Sequence, residues 1–89
     1  MPQAIVDPEE LRQFARSLKK FNNDLREKSA ALANHMAALG ATGRDQEHKK
    51  FLEQFQQHIK VIGQFTETAD EYVPYLLRKA EHIEDYLQS

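Results

Sequence analysis

The spacing of apolar residues in the first half of the chain is the feature that most limits its fold. Apolar residues recur in steps of three and four, and later of seven, from Leu11 to Leu39. Such a heptad pattern places its members along one face of an α-helix. Lys28 and His35 occupy the two positions of the pattern that are not apolar. The pattern predicts one helix over residues 8–39, whose seam consists of Leu11, Phe14, Leu18, Phe21, Leu25, Leu32 and Leu39.

The residues before this pattern are typical of a helix start. Asp7 is a good N-cap because its carboxylate can accept hydrogen bonds from the free N–H groups of the first turn. Pro8 loses no hydrogen bond at the first helical position, and Glu9 and Glu10 place negative charge at the positive end of the helix dipole. We therefore expect residues 1–7 to form a flexible N-terminus ahead of the helix.

A second pattern with the helical period predicts a helix over residues 44–88. Pro74 lies inside it and lacks the N–H that a helix interior uses, so we expect a kink near residue 74. The pattern stays in phase beyond Pro74, so we expect the helix to continue there. The predicted seam of this helix consists of Phe51, Phe55, Ile62, Phe65, Tyr72, Leu76, Ile83 and Leu87.

The stretch LGATGRDQEHKKF joins the two patterns and is expected to hold a turn at residues 40–43. Gly40 directly follows the first pattern, where a left-handed glycine commonly closes a helix. The residues after it fit a capping box with aspartate in the third place. So short a link makes the two helices antiparallel neighbours. The predicted turn motif is Gly40, Thr42, Gly43 and Asp45.

Folding the chain at this turn predicts both a register and a partner. It pairs residues whose numbers sum to about 83, so that Phe14 lies near Ala69 and Phe21 near Ile62. On this register the chain after Pro74 overhangs the first helix and exposes an apolar face. A second hairpin would cover it. The predicted fold is therefore an all-α, antiparallel two-helix hairpin that forms a four-helix bundle as a homodimer or with a similar hairpin.

Composition and charge narrow the class of protein. With 89 residues the chain forms one small domain, and it has no cysteine for a disulfide or a thiolate metal site. The net charge of −2 gives no reason to expect nucleic-acid binding. No apolar run approaches the roughly 18 residues that span a bilayer, and we expect no cleavable secretory signal. The first helix is basic and the second acidic, which favours their attraction only weakly.

We find no catalytic or cofactor motif, since phosphate-binding loops and nucleophile elbows are both absent. Glu81, His82 and Asp85 fall within about one turn, but a metal site needs three or four converging ligands, so no metal is predicted. His35 and His58 fall on or near the seam. They are expected at the edges of the bundle or in a polar layer that fixes register, and a pH switch at either stays open as an alternative.

The aromatic stripe and the C-terminal tail each allow a second interpretation. Phenylalanines between helices could line a cofactor cavity, but at helical spacing they are more often core residues. Residues 74–88 could lie on a membrane surface, but their acidic polar face argues against anionic lipid. We therefore predict a protein that is not an enzyme and that holds no cofactor.

A cysteine-free hairpin broken in the middle by a glycine-containing turn resembles the WXG family of small helical proteins. These are relatives of the early secreted antigenic target and are exported by type VII secretion systems. Their turn carries Trp-x-Gly, or a variant with Asp in the third place. Here Gly43-Arg44-Asp45 stands at that position, with Gly43 in place of the tryptophan, and Phe51 follows in the second helix. The resemblance covers nearly the whole chain and implies a hairpin that dimerises into a four-helix bundle.

The resemblance also implies a role in export. Many family members carry a tyrosine followed four residues later by Asp or Glu, whereas here Tyr72 is followed by Leu76 and Tyr75 by Lys79, and Tyr86 has too little chain after it. The implied role is that of a type VII substrate or of its export partner, cytoplasmic before secretion without a signal peptide. The alternative is a cytosolic adaptor or chaperone-like module that binds a partner helix.

Overall fold

Two antiparallel helices make up the described part of the chain. The computed structural model describes residues 6–40 and 46–88. Helix α1 spans Pro8–Gly40 and helix α2 spans Gln46–Gln88. The helices pack on each other in a body that measures 67 × 26 × 15 Å. Within the described ranges there is no strand, so the predicted all-α hairpin is confirmed.

The N-terminus of α1 is capped as the sequence predicts. The N–H of Glu9 donates to Oδ1 of Asp7 at 3.0 Å, and the N–H of Leu11 donates to the carbonyl oxygen of Asp7 at 3.1 Å. Asp7 therefore satisfies one N–H of the first turn with its side chain and starts the helical hydrogen bonds with its main chain.

The C-terminus of α1 lies one residue beyond the predicted end. Gly40 is the last residue of the helix, and no described glycine has a positive φ. The left-handed cap expected at this glycine stays a prediction. The other residues of the predicted turn motif lie outside the described residues, as does the predicted helix start at residue 44: Thr42, Gly43 and Asp45.

Helix α2 contains two residues that weaken helices, Gly63 and Pro74. The helix continues through Pro74 to Gln88, as the phase of the apolar pattern predicts. The kink near residue 74 stays a prediction. Gly63 is exposed, and a Cβ built on it would meet no atom within 4 Å.

We expect Gly63→Ala to stabilise the protein. Alanine restricts the unfolded chain and should raise the free energy of unfolding by about 0.5–1 kcal/mol at this open position. For a domain of this size that is a rise in Tm of about 4 °C, which thermal denaturation followed by circular dichroism would detect. Gln64→Ala, at the exposed neighbour, is the control and should change Tm little. A lower Tm for Gly63→Ala would mean that α2 is not a regular helix at this point.

The register of the hairpin differs from the predicted one. Phe21 meets Phe65, and Asn22 meets Thr66, so the numbers of facing residues sum to 86 and 88 rather than 83. The prediction was wrong because it allowed only about two residues between the helices, whereas residues 41–45 separate them. Phe21 therefore lies beside Phe65 instead of Ile62.

The predicted overhang after Pro74 is also wrong. Leu76 is 4% exposed and Ala80 is fully buried. Further along, Glu84 of α2 forms an ion pair with Arg12 of α1. Helix α1 therefore covers one face of α2 at least as far as Glu84, and only about the last turn extends beyond it.

The contact between the helices is narrow and rich in small residues. Ala15 on α1 is buried, as are Ala69 and Ala80 on α2, and Leu76 is the large apolar residue among them. Small side chains let two helices approach closely, but they cover little of each other's apolar face. Much of the apolar surface of both helices therefore stays in contact with water.

Candidate partner-binding surface

The structure divides the predicted seam residues into two groups. One group is buried or half-buried between the helices, and it consists of Leu11, Leu18, Leu25, Phe55, Ile62, Leu76 and Ile83. The other group is exposed, and it consists of Phe14, Phe21, Leu32, Leu39, Phe51, Phe65, Tyr72 and Leu87. The seam, which the sequence predicts to serve both the hairpin core and a dimer contact, thus has one part within the hairpin and one part facing outwards, and its role in a dimer stays a prediction.

Exposed aromatic residues of both helices meet on one side of the hairpin. The ring centroids of Phe21 and Phe65 lie 6.5 Å apart in an edge-to-face arrangement. Phe14 and Tyr72 lie one heptad away on each helix and line, with Phe65 and Leu18, a cavity of about 530 Å³. We call the surface formed by Phe14, Phe21, Phe65 and Tyr72 the aromatic side. It is open to solvent along its length.

Each ring of the aromatic side is about half exposed, with values of 53% for Phe14 and Phe21 and 48% for Phe65 and Tyr72. Aromatic side chains are among the residues that stabilise interfaces most when buried. A contiguous apolar surface on a small protein marks a site of interaction. The aromatic side is therefore the candidate functional surface of this chain.

A basic layer follows the aromatic side toward the turn. Lys28 lies one heptad after Phe21 on α1, and His58 lies one heptad before Phe65 on α2. Because the helices are antiparallel, these two residues share a layer next to the phenylalanine pair. Lys28 and His58 are exposed, as is His35 one heptad further along α1. Both histidines are thus outside the contact between the two helices, and their placement in a bundle stays a prediction.

Ion pairs join the two helices on the side of the hairpin opposite the aromatic side. Arg12 donates from both terminal nitrogens to the carboxylate of Glu84, at 3.0 and 2.8 Å, in the bidentate geometry that favours such pairs. Arg26 also pairs with Asp70 across the helix contact, but through a single terminal nitrogen, since the other carboxylate oxygen accepts from Asn22. Hydrogen bonds from Arg26 and Asn22 lower the pKa of Asp70, and those from Arg12 lower the pKa of Glu84.

These ion pairs predict a loss of stability at acidic pH. A carboxyl group with a lowered folded-state pKa stabilises the fold above its unfolded pKa, about 4, and loses that effect as the pH falls through the folded pKa. Between about pH 5 and pH 3, the Tm of the wild type should therefore fall more steeply than that of an Asp70→Asn/Glu84→Gln variant. Parallel slopes for the two proteins would show that the pairs do not stabilise the hairpin.

A buried polar layer lies in the contact between the helices, between the aromatic side and the side that carries the ion pairs. Asn22 is 0% exposed and Thr66 is 1% exposed. Nδ2 of Asn22 donates to Oδ1 of Asp70 at 3.0 Å and to the carbonyl oxygen of Thr66 at 3.5 Å. The hydroxyl of Thr66 donates to the carbonyl oxygen of Gly63 at 2.8 Å, within its own helix. The sequence analysis missed this layer because Asn22 and Thr66 are outside the apolar pattern.

Metal-binding clusters and membrane-spanning stretches are both absent from the described residues. In ranges 6–40 and 46–88, no group of three or more His, Cys, Asp or Glu side chains is placed to hold a metal ion. Neither α1 nor α2 contains an apolar stretch long enough to cross a bilayer.

Comparison with known proteins agrees with a small helical protein. No curated protein and no solved structure matches the chain. The family model described as WXG100, proteins of 100 residues with WXG, matches residues 3–86. That range includes all of α1, the link, and α2 except its last two residues. This chain therefore belongs to the WXG100 family of small, helical proteins of the type VII secretion kind.

Proposed function

We propose that the protein works in type VII secretion by pairing its aromatic side with a second helical hairpin, forming a four-helix bundle. The observation that carries this proposal is the aromatic side itself, where Phe14, Phe21, Phe65 and Tyr72 are each about half exposed. A second hairpin presents an apolar face of matching length, which a single helix or a small ligand does not.

The total surface of the chain supports the same proposal. The isolated hairpin exposes 7403 Å². A compact monomer of this mass exposes about 5,400 Å². The excess of about 2,000 Å² per chain corresponds to about 4,000 Å² for two hairpins, which lies in the range that obligate homodimer interfaces bury. A radius of gyration of 19.8 Å, against about 12 Å for a compact chain of this length, shows that the excess comes from the elongated shape.

The proposed role is binding rather than catalysis. The cavity on the aromatic side is lined mainly by apolar groups, including Phe14, Leu18 and Ala69, and Glu71 is its charged member. A catalytic site needs acid, base or nucleophilic groups that converge on one point. The aromatic side instead offers apolar area and shape, which are the properties that a partner helix recognises.

We further propose that the bundle travels with another protein that carries the export signal. The residue four positions after Tyr72 is Leu76, which is buried against α1, so an acidic residue there would destabilise the hairpin. The residue four positions after Tyr75 is Lys79, which has the opposite charge. A protein that has the acidic residue in place and binds the bundle would bring both chains to the secretion machinery.

A secretion assay in the native cells tests this role. The wild-type chain should appear in the medium when the type VII secretion ATPase is active and stay in the cells when that ATPase is inactivated. Phe21→Asp, which places a charge on the aromatic side, should stay in the cells, and Asn23→Asp, exposed on another face, should be exported. Equal retention of the wild type with the active and the inactive ATPase would favour the cytosolic adaptor instead.

A further inference from the structure

The apolar rows of the two helices define the register of the hairpin only weakly. On α1, Leu11, Leu18 and Leu25 follow one another at heptad spacing, and the inner face of α2 repeats in the same way. A slip of one helix by seven residues would again place apolar side chains against apolar side chains. The length of the link between the helices limits such a slip, and polar contacts that a slip would break add to this limit.

Asn22 makes a contact that is lost on slipping. In the observed register, its Nδ2 donates to the carboxylate of Asp70 at 3.0 Å. A slip of one heptad would bring Leu77 or Gly63 to the place of Asp70, depending on its direction. Neither residue has a side-chain acceptor, so the buried amide would lose its shorter hydrogen bond and would face only a main-chain carbonyl in the place of that of Thr66, which is unfavourable in a water-free contact. Arg26 would lose the same carboxylate.

We propose that Asn22 is the positioning residue that sets the hairpin register and thereby assembles the aromatic side. In the observed register Phe21 meets Phe65. In the two slipped registers Phe21 would meet Tyr72 or His58, and the surface offered to a partner would change. The consequence for binding rests on the proposed function, whereas the effect on register does not.

The Oδ1 atom of Asn22 indicates that this residue fixes the register of the hairpin rather than raising its stability. Oδ1 of Asn22 is buried and has no hydrogen-bond partner among the described residues. A half-satisfied buried amide is less favourable than an apolar side chain of similar shape. Single buried asparagines in helix seams select one register in this way, and they lower stability in doing so. Replacing Asn22 by an apolar residue should therefore loosen the register without lowering Tm.

A distance measurement on spin-labelled protein tests the register directly. The chain has no cysteine, so labels can be placed at Gln13→Cys on α1 and Glu53→Cys on α2, both exposed and far apart along the hairpin. A slip of seven residues moves one label by about 10 Å along the helix axis. Diluting the labelled chain into unlabelled chain restricts the signal to distances within one hairpin.

The wild type should give one distance, and Asn22→Val should give a second population displaced by about 10 Å. Its Tm should be equal to or higher than that of the wild type, and its self-association at least 10-fold weaker. Thr66→Val is the matched control, because the hydroxyl of Thr66 bonds within α2, and it should keep the single distance. Asn22→Ala, which adds no volume, should behave like Asn22→Val if valine does not fit.

The spin-label distances test the role of Asn22 in the register, and the self-association tests the proposed function. A single, wild-type distance in Asn22→Val and Asn22→Ala would overturn the role of Asn22 in register, whatever their association. Wild-type protein that shows one distance but does not associate would count against the proposed function and leave the register result valid.

Discussion

Leu76→Asp is expected to unfold the hairpin and to remove most of its helical circular dichroism signal at 25 °C. Leu76 is 4% exposed between the helices. Truncating such a side chain lowers the free energy of unfolding by about 2–5 kcal/mol, and placing a carboxylate there adds the penalty of a buried charge. A chain of this length has a total stability of only about 4–13 kcal/mol, so most of it would be lost.

Leu77→Asp is the matched control for this experiment. Leu77 is the next residue and carries the same side chain, but it is 42% exposed. Its replacement should change the free energy of unfolding by less than about 1 kcal/mol. If both variants unfold equally, or if Leu76→Asp melts like the wild type, the observed register is wrong, because the register that the sequence predicts leaves Leu76 outside the contact with α1.

Phe21→Asp is expected to leave the hairpin folded but to weaken its association with a second hairpin about 100-fold. The ring is 53% exposed and touches Phe65 edge-to-face, so its loss affects the single chain only modestly. In a bundle the same position would be buried, where an aromatic anchor contributes about 2–4 kcal/mol and a carboxylate is disfavoured. Circular dichroism would report the fold, and sedimentation velocity the association.

Asn23→Asp provides the comparison for Phe21→Asp. It introduces the same carboxylate two residues away, at an exposed position that points away from the aromatic side. Its association should match that of the wild type. Equal weakening by both variants would mean that net charge, rather than the aromatic side, controls the association.

The two helices were predictable from the sequence because their signals are local. The heptad spacing of the leucines on α1 and the cap at Asp7 depend only on neighbouring residues, and the structure shows α1 starting where these signals place it. The continuation of α2 past Pro74 follows from the phase of its apolar pattern. The WXG100 resemblance of the whole chain is confirmed by the match over residues 3–86.

The register could not be read from the same pattern. A heptad repeat looks the same after a slip of seven residues, so only the length of the link sets the predicted alignment. Residues 41–45 make this link longer than the capping signals suggest. The ion pair of Arg12 with Glu84 and the layer of Asn22 with Thr66 depend on the true alignment, and the sequence analysis missed all of them for that reason.

The sequence indicates which residue types form the candidate surface. It does not indicate which apolar residues face outwards and which lie between the helices. All the apolar residues of both stripes were assigned to one seam, although a pair of helices in contact buries only a narrow part of each stripe. The inner part is taken by small residues such as Ala15 and Ala80, which a search for large apolar residues passes over. The large aromatic residues Phe21 and Phe65 are thereby left facing outwards.

Sedimentation equilibrium of the wild-type chain, with Phe21→Asp in parallel, tests the pairing of hairpins most directly. A second copy of the chain is the partner in this measurement. We expect reversible association of the wild type to twice its mass of 10.3 kDa at concentrations up to about 100 µM, and a monomeric Phe21→Asp. A folded wild type that stays at 10.3 kDa over that whole range would contradict it.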